Sequence, residues 1–167
     1  MSTGSHRAHA RRSVGCALVT VSDTRTPETD ASGARARELL LAAGHRIVSY
    51  AILPDEPELV GQHVRTLLAD DTVEAVILNG GTGLAPRDGT YEAVAGLLDK
   101  RIDGFGELFR QLSYADVGPA AMLSRAVAGV AARTIVASLP GSTAAVALAL
   151  EKLLVPELEH MVALVRG

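Results

Sequence analysis

Aromatic side chains are scarce in this 167-residue chain, which has no tryptophan, two phenylalanines and three tyrosines. With 48% of its residues apolar, it can still fill the core of one domain, but that core must be aliphatic. Cysteine is scarcer. Cys16 stands alone, which excludes an internal disulfide, and its place in the apolar run Val14 to Val21 marks a buried structural thiol rather than a nucleophile. One cysteine suits a reducing cytoplasm. Positive charge is not in excess either. The formal net charge of −3 supplies no basic field for nucleic acid or an anionic membrane surface, so an anionic ligand must be held locally. No segment approaches the ~20 apolar residues that cross a bilayer. The five histidines lack metal-ligand spacing and receive no role, and no lysine of Walker type is present.

The opening MSTGSHRAHARR is basic and leads into apolar residues, as a secretion signal would. The apolar stretch is short, however, and runs into polar SDTRTPETD without a small-residue cleavage site. Residues 1–12 are therefore expected to be a disordered tail, and 13–167 one domain.

Strand and helix patterns then alternate. SVGCALVTVSD is a short β-branched run ended by polar residues. Asp30 can cap a helix reaching about Ala43, with Gly44 at its C-terminal glycine position. HRIVSYAILP is a second strand. Val60, Val64, Leu67 and Leu68 share one face of a helix between Glu56 and Asp70. VEAVILN returns to strand, and Tyr91, Val94, Leu97 and Leu98 repeat at helical spacing. GFGELFRQLSYADVG and PAAMLSRAV are expected as two helical pieces divided at Gly118 and Pro119. RTIVASLP is a further strand, and Ser142 to about Val165 a long helix kinked near Pro156. Such alternation predicts right-handed βαβ units in an α/β fold: a three-layer arrangement with a mostly parallel sheet and helices on both faces. Ligands bind such sheets beyond the carboxyl ends of the strands.

Four loops fall there, after Val21, Leu53, Leu78 and Leu139. In NGGTG, Gly80, Gly81 and Gly83 remove side chains where the chain leaves a strand, so amides can approach a phosphate, and Thr82 adds a hydroxyl. GGTG by itself reads equally as a tight turn without ligand, since it matches neither GxGxxG nor GxxxxGK[ST]. Asp88 adds a carboxylate that would repel an anion unless a cation lay between, which suggests Mg²⁺; a turn or capping aspartate is the plain alternative. Asp55, in PDEPE, is a second carboxylate at another strand end, in what is also ordinary turn chemistry. Leu139–Ser142 (LPGS) is a second strand-turn-helix junction, where Gly141 permits close approach and Ser142 can cap. Arg87, Arg110 and Arg125 could face phosphate or serve as surface ion-pair partners.

Set in order, TVSD (Thr20 to Asp23), Pro54-Asp55, GGTG with PRDGT (Gly80 to Thr90), GFGELFR, MLSRAVAG and LPGS resemble the MoaB/Mog family of molybdenum cofactor biosynthesis proteins, over roughly Ser13 to Gly167. The resemblance implies a homotrimer or hexamer that binds molybdopterin, together with Mg²⁺-dependent adenylylation of molybdopterin by ATP. A non-catalytic role in binding molybdopterin or a pterin precursor is the alternative it implies, and other cofactor-biosynthesis proteins would be possible partners. Carried over by position, Asp55 and Asp88 become the catalytic and Mg²⁺-binding carboxylates. Gly80, Gly81, Thr82, Gly83, Pro140, Gly141 and Ser142 become binding turns, with Ser22, Glu107 and Ser124 as further pocket residues. The chain departs from the usual PRDVTPEA at Gly89 and Tyr91, and has Asn79 where Ser or Thr often precedes GGTG and Asp103 where proline is frequent.

Overall fold

The computed structural model describes residues 12–167. Residues 1–11 of the expected tail lie outside the described residues. Arg12 does not behave as a tail residue: its amide donates to Glu159 and its guanidinium pairs with buried Glu74.

Six strands form one sheet in the order β2-β1-β3-β6-β5-β4. β1 (Gly15–Val21), β2 (Arg46–Leu53), β3 (Ala75–Asn79) and β6 (Thr134–Leu139) run parallel. Strand alternation sorts the core into two layers. From β1, Cys16 and Leu18 pack with α1 (Ala31–Ala42), α4 (Asp103–Val117), α5 (Thr143–Ala149) and α6 (Val155–Arg166). Ala17, Val19 and Val21 face α2 (Pro57–Leu68) and α3 (Thr90–Ala95) on the other side. The predicted three layers are present, with β1 and β3 fully buried as near-continuous aliphatic runs.

Local signals act as expected at several ends. Asp30 accepts the Gly33 amide as the N-cap of α1, and Gly44 ends that helix with φ +88°. Ser142 caps α5 by accepting the Ala145 amide at 3.1 Å. Cys16 is buried, and burial pushes its thiol up to about 12.

Two expectations are corrected. PAAMLSRAV is not a helix throughout: a 3₁₀ turn at Gly118–Leu123 gives way to β5 (Val127–Ala131). β5 pairs antiparallel with β6 through a tight turn at Ala132, φ 51°, and β4 (Lys100–Arg101) joins it antiparallel, so one edge of the sheet is not parallel. Ala-Val-Ala-Gly-Val-Ala has no polar alternation to distinguish strand from helix; pairing with β6 decides. The long final helix is interrupted near Pro156 as expected: between α5 and α6 the chain forms a π-helical turn, Leu150–Leu154, just before Pro156, whose missing amide leaves the preceding turn free to widen. His45 also has a role after all. Its buried Nδ1 accepts the Val14 amide at 3.2 Å.

Candidate functional site

After β1 the chain crosses by α1 to β2 on one side, and returns by α2 to β3 on the other. The carboxyl ends of β1 and β3 therefore flank the switch point of the sheet, where a crevice opens in doubly wound folds. All four loops picked from the sequence lie at this end.

The glycines there are dictated by contact. Gly80 (φ +101°) and Gly81 (φ +69°) adopt the left-handed region. A Cβ on Gly80 would sit 2.2 Å from the Val21 carbonyl oxygen, and one on Gly81 would sit 2.1 Å from Thr90 Oγ1 and 2.8 Å from Asp55 Oδ2. The Gly80 amide donates to the Leu139 carbonyl at 3.0 Å, and a Cβ on Gly141 would lie 3.2 Å from Gly80 Cα. GGTG and LPGS are thus a single composite surface.

Asp55 and Asp88 are brought to the same loop cluster. Asp55 is 7% exposed; its Oδ1 accepts the Thr90 hydroxyl at 3.2 Å and the Gly89 amide at 3.4 Å. Burial pushes its carboxyl above the usual carboxylate range against those hydrogen bonds, and the nearby Asp88 and Asp23 push it the same way. Asp88 Oδ2 accepts the Ala85 amide at 3.1 Å, closing the APRD turn. Among the described residues Asp55 Oδ2 and Asp88 Oδ1 take no hydrogen bond, so each carboxylate keeps one oxygen free.

Asp23 ties these carboxylates to the first loop. Its Oδ1 accepts the Asp55 amide at 3.0 Å, and Arg87 donates to both its oxygens at 2.9 and 3.0 Å. The Arg87 hydrogen bond, then that of the Asp55 amide, lowers Asp23 to about 2. Arg87 and Arg125 are hence ion-pair partners in this structure, Arg125 with Glu92. Arg110 has no carboxylate partner among the described residues and donates to the Ser124 and Ala126 carbonyls.

The remaining picked residues divide. Ser22 Oγ accepts the Thr24 and Arg25 amides, shaping its own turn. Ser124 follows the 3₁₀ turn, and its buried Oγ lacks a partner among the described residues. Glu107 is exposed on α4, and no hydrogen bond or ion pair joins it to the loop cluster. A groove of about 400 Å³ opens beside the APRD turn, lined by Pro57, Leu84, Pro86, Asp88, Glu92 and Arg125 among others.

Beneath the loops lies a buried polar network that sequence reasoning missed. Ser32 donates to Asn79 Oδ1 at 2.7 Å, Asn79 Nδ2 to Thr20 Oγ1 at 3.0 Å, and Thr20 to Asp30 Oδ2 at 2.7 Å. Tyr50 donates to the same oxygen, and Arg25 links Ser32 to the Gly141 carbonyl. Burial works against the Asp30 carboxylate, but the Tyr50, Thr20 and Gly33 hydrogen bonds with nearby Arg25 hold it below its ordinary range. Asn79, a departure from the usual motif, was the available signal for this network.

Residues 17–160 match the family model described as "Probable molybdopterin binding domain". The chain belongs to this molybdopterin-binding family. It is 51% identical over 162 residues to the molybdenum cofactor biosynthesis protein B of Bacillus cereus, covering 96% of each chain. The Bacillus subtilis protein of the same name is 49% identical, with 99% of this chain and 98% of that one covered. A crystal structure of a molybdenum cofactor biosynthesis protein B superposes with TM-score 0.92 at 50% identity, covering 95% of this chain and 99% of that one. Thermus thermophilus MoaB gives 0.82 at 36% identity (92% and 97% covered), and a structure of MogA gives 0.81 at 31% identity (90% and 99% covered). Backbone likeness by itself does not separate the two branches. Among the described residues no helix is long and apolar enough to cross a membrane.

Proposed function

We propose that this protein acts in molybdenum cofactor biosynthesis, adenylylating molybdopterin with ATP in a Mg²⁺-dependent step in the cytoplasm. The observation that carries the reading is convergence: Asp55 and Asp88, each with an unengaged oxygen, stand beside two glycine turns in contact at Gly80 and Gly141. In the step, an oxygen of the molybdopterin phosphate attacks the α-phosphorus of ATP. A new P–O bond forms, the bond to the bridging oxygen breaks, and pyrophosphate leaves with that electron pair.

The donor set fits the cation. Among the described residues no group of three or more His, Cys, Asp or Glu side chains is arranged to enclose a metal. Mg²⁺ usually takes one or two carboxylates and completes its shell with phosphate oxygens and water, so Asp55 and Asp88 would hold it. The carboxyl of Asp55 is raised by burial first and by the nearby Asp88 and Asp23 after it, and a bound cation would offset both by favouring the ionised form. Bound there, Mg²⁺ would offset charge on the transferred phosphate and leaving group. Gly80, Gly81, Thr82 and Gly83 would take one phosphate-bearing part of the ligand, and Pro140, Gly141 and Ser142 the other. Ser22, Glu107 and Ser124 complete the proposed binding surface.

The decisive experiment mixes pure protein with molybdopterin and Mg-ATP and follows adenylylated product by mass spectrometry. Product with stoichiometric pyrophosphate supports the reading; no product from protein that binds molybdopterin overturns it. Two observations favour a second reading, a non-catalytic carrier of molybdopterin or its precursor. The curated relatives carry the name of protein B, and Asp88 Oδ2 is engaged in its own turn. Tight molybdopterin binding without Mg-ATP affinity by calorimetry would select that reading.

We also propose a homotrimer or hexamer. Leu108, Val117, Met122 and Leu123, on α4 and the turn after it, are each at least 50% exposed, an apolar surface suited to a second copy. Light scattering of a monomer at micromolar concentration would overturn this.

A further inference from the structure

Arg125 gathers an unusual set of acceptors. Its Nε donates to the Thr82 carbonyl at 3.1 Å, and Nη2 donates to the Gly83 carbonyl at 2.6 Å and the Asp88 carbonyl at 3.3 Å. Nη1 pairs with Glu92, and the guanidinium carbon lies 4.9 Å from the centre of the Tyr91 ring. Tyr91 is itself held by Arg101, which donates to its hydroxyl at 2.7 Å. One guanidinium therefore grips both arms of the GGTG–PRD loop, supported by a tyrosine that replaces the family's usual residue.

A trans peptide is planar, with its carbonyl and amide pointing in opposite directions. Wherever Arg125 holds a carbonyl, the amide of the same peptide is aimed away from Arg125. The Asp88–Gly89 peptide shows this: its carbonyl meets Arg125 while its amide donates to Asp55 Oδ1. The Thr82–Gly83 and Gly83–Leu84 peptides are gripped in the same way, and the amides of Gly83 and Leu84 have no partner among the described residues. Glycine at 83 would otherwise leave those planes free to turn.

We infer that Arg125 is a positioning residue: it orients the Gly83 and Leu84 amides toward the ligand's phosphate and sets Asp88 relative to Asp55, without itself being the phosphate ligand. This rests on the proposed molybdopterin reading for the identity of the ligand, but not for the effect on the loop. Lysine cannot replace it, because a compact ammonium lacks the planar fork that reaches three carbonyls at once.

The test uses full-length Arg125→Ala and Arg125→Lys, with Tyr91→Leu as a milder version. In the ligand-free protein, hydrogen exchange at the bonded amides of Ala85, Asp88, Gly89 and Thr90 should quicken in both Arg125 variants, with the sheet unchanged; unchanged exchange in the loop overturns the inference. Affinity for molybdopterin by titration should fall about tenfold in Arg125→Ala, the scale of a lost charge-assisted contact set. Millimolar methylguanidinium should restore it and methylammonium should not. Undiminished affinity, or equal rescue by both cations, also overturns the inference. Should Arg125→Ala fail to fold, Arg125→Lys keeps the charge and the Glu92 pair and is scored alone. A wild-type protein that does not bind molybdopterin removes the functional reading, while the exchange measurement still decides the role of Arg125.

Discussion

Replacing Gly81 with alanine separates two energies that act at the loop. Gly81 has φ +69°, so any L side chain incurs roughly 1–2 kcal/mol of left-handed strain. Its added Cβ would also fall 2.1 Å from Thr90 Oγ1. Thr90 is fully buried and must turn away, losing its hydrogen bond to the Asp55 carboxylate, worth about 1.5–3 kcal/mol because the acceptor is charged. The total is about 3–5 kcal/mol. Gly44 supplies the control: its φ is +88° and an added Cβ meets nothing within 4 Å, so Gly44→Ala carries only the conformational part, about 1–2 kcal/mol. For a domain of this size each kcal/mol lowers Tm by about 2–4 °C. Gly81→Ala should then melt about 10 °C below the native protein, and Gly44→Ala about 4 °C below it, by differential scanning calorimetry. Melting of the two variants within about 2 °C of each other would refute the contact argument and leave the site's glycine a matter of backbone conformation alone.

Asp88→Ala should abolish adenylylation while leaving far-ultraviolet circular dichroism unchanged, since only the Ala85 amide loses a partner; full turnover would remove Asp88 from the mechanism. The carboxyl of Asp55 is raised on folding, by burial first, so its ionisation is disfavoured more in the folded than in the unfolded state. Its destabilising effect is absent below the ordinary carboxylate range and grows as pH rises through the folded pKa. Asp55→Asn should therefore raise Tm at pH 7 with turnover lost, and the gain should vanish in melts near pH 3; a gain independent of pH would contradict this. Cys16, buried with its thiol pushed up to about 12, should not react with a thiol reagent in the native protein at pH 8, and should react fully in denaturant. Reaction at a free-thiol rate in the native state would contradict the burial of β1.

Local chemistry settled much before any tertiary contact was known. The aliphatic runs Val14 to Val21 and Ala75 to Asn79 are short, rich in β-branched residues and bounded by polar residues, which favours strands buried on both faces and so implies helices above and below. Asp30, Gly44 and Ser142 specify helix ends because a cap acts within four residues of chain. The place where the candidate loops meet was legible to the same degree, since glycine-rich exits from buried strands gather at one end of a parallel sheet. Other properties depend on residues far apart in the chain. Val127 to Ala131 becomes a strand only because β6 offers an edge to pair with, and no local pattern records that edge. Gly80 must be glycine because of the Val21 carbonyl, and Gly81 because of Thr90 and Asp55. In the sequence Arg87 and Arg125 could equally face phosphate or serve as ion-pair partners; they pair with Asp23 and Glu92, 64 and 33 residues away. Composition and periodicity thus determine elements and layers, because those energies are local or depend only on burial. Which charge is spent on which partner, and which glycine is obligatory, was decided by the tertiary structure, because those energies fall off within a few ångströms and exist only once the loops have met.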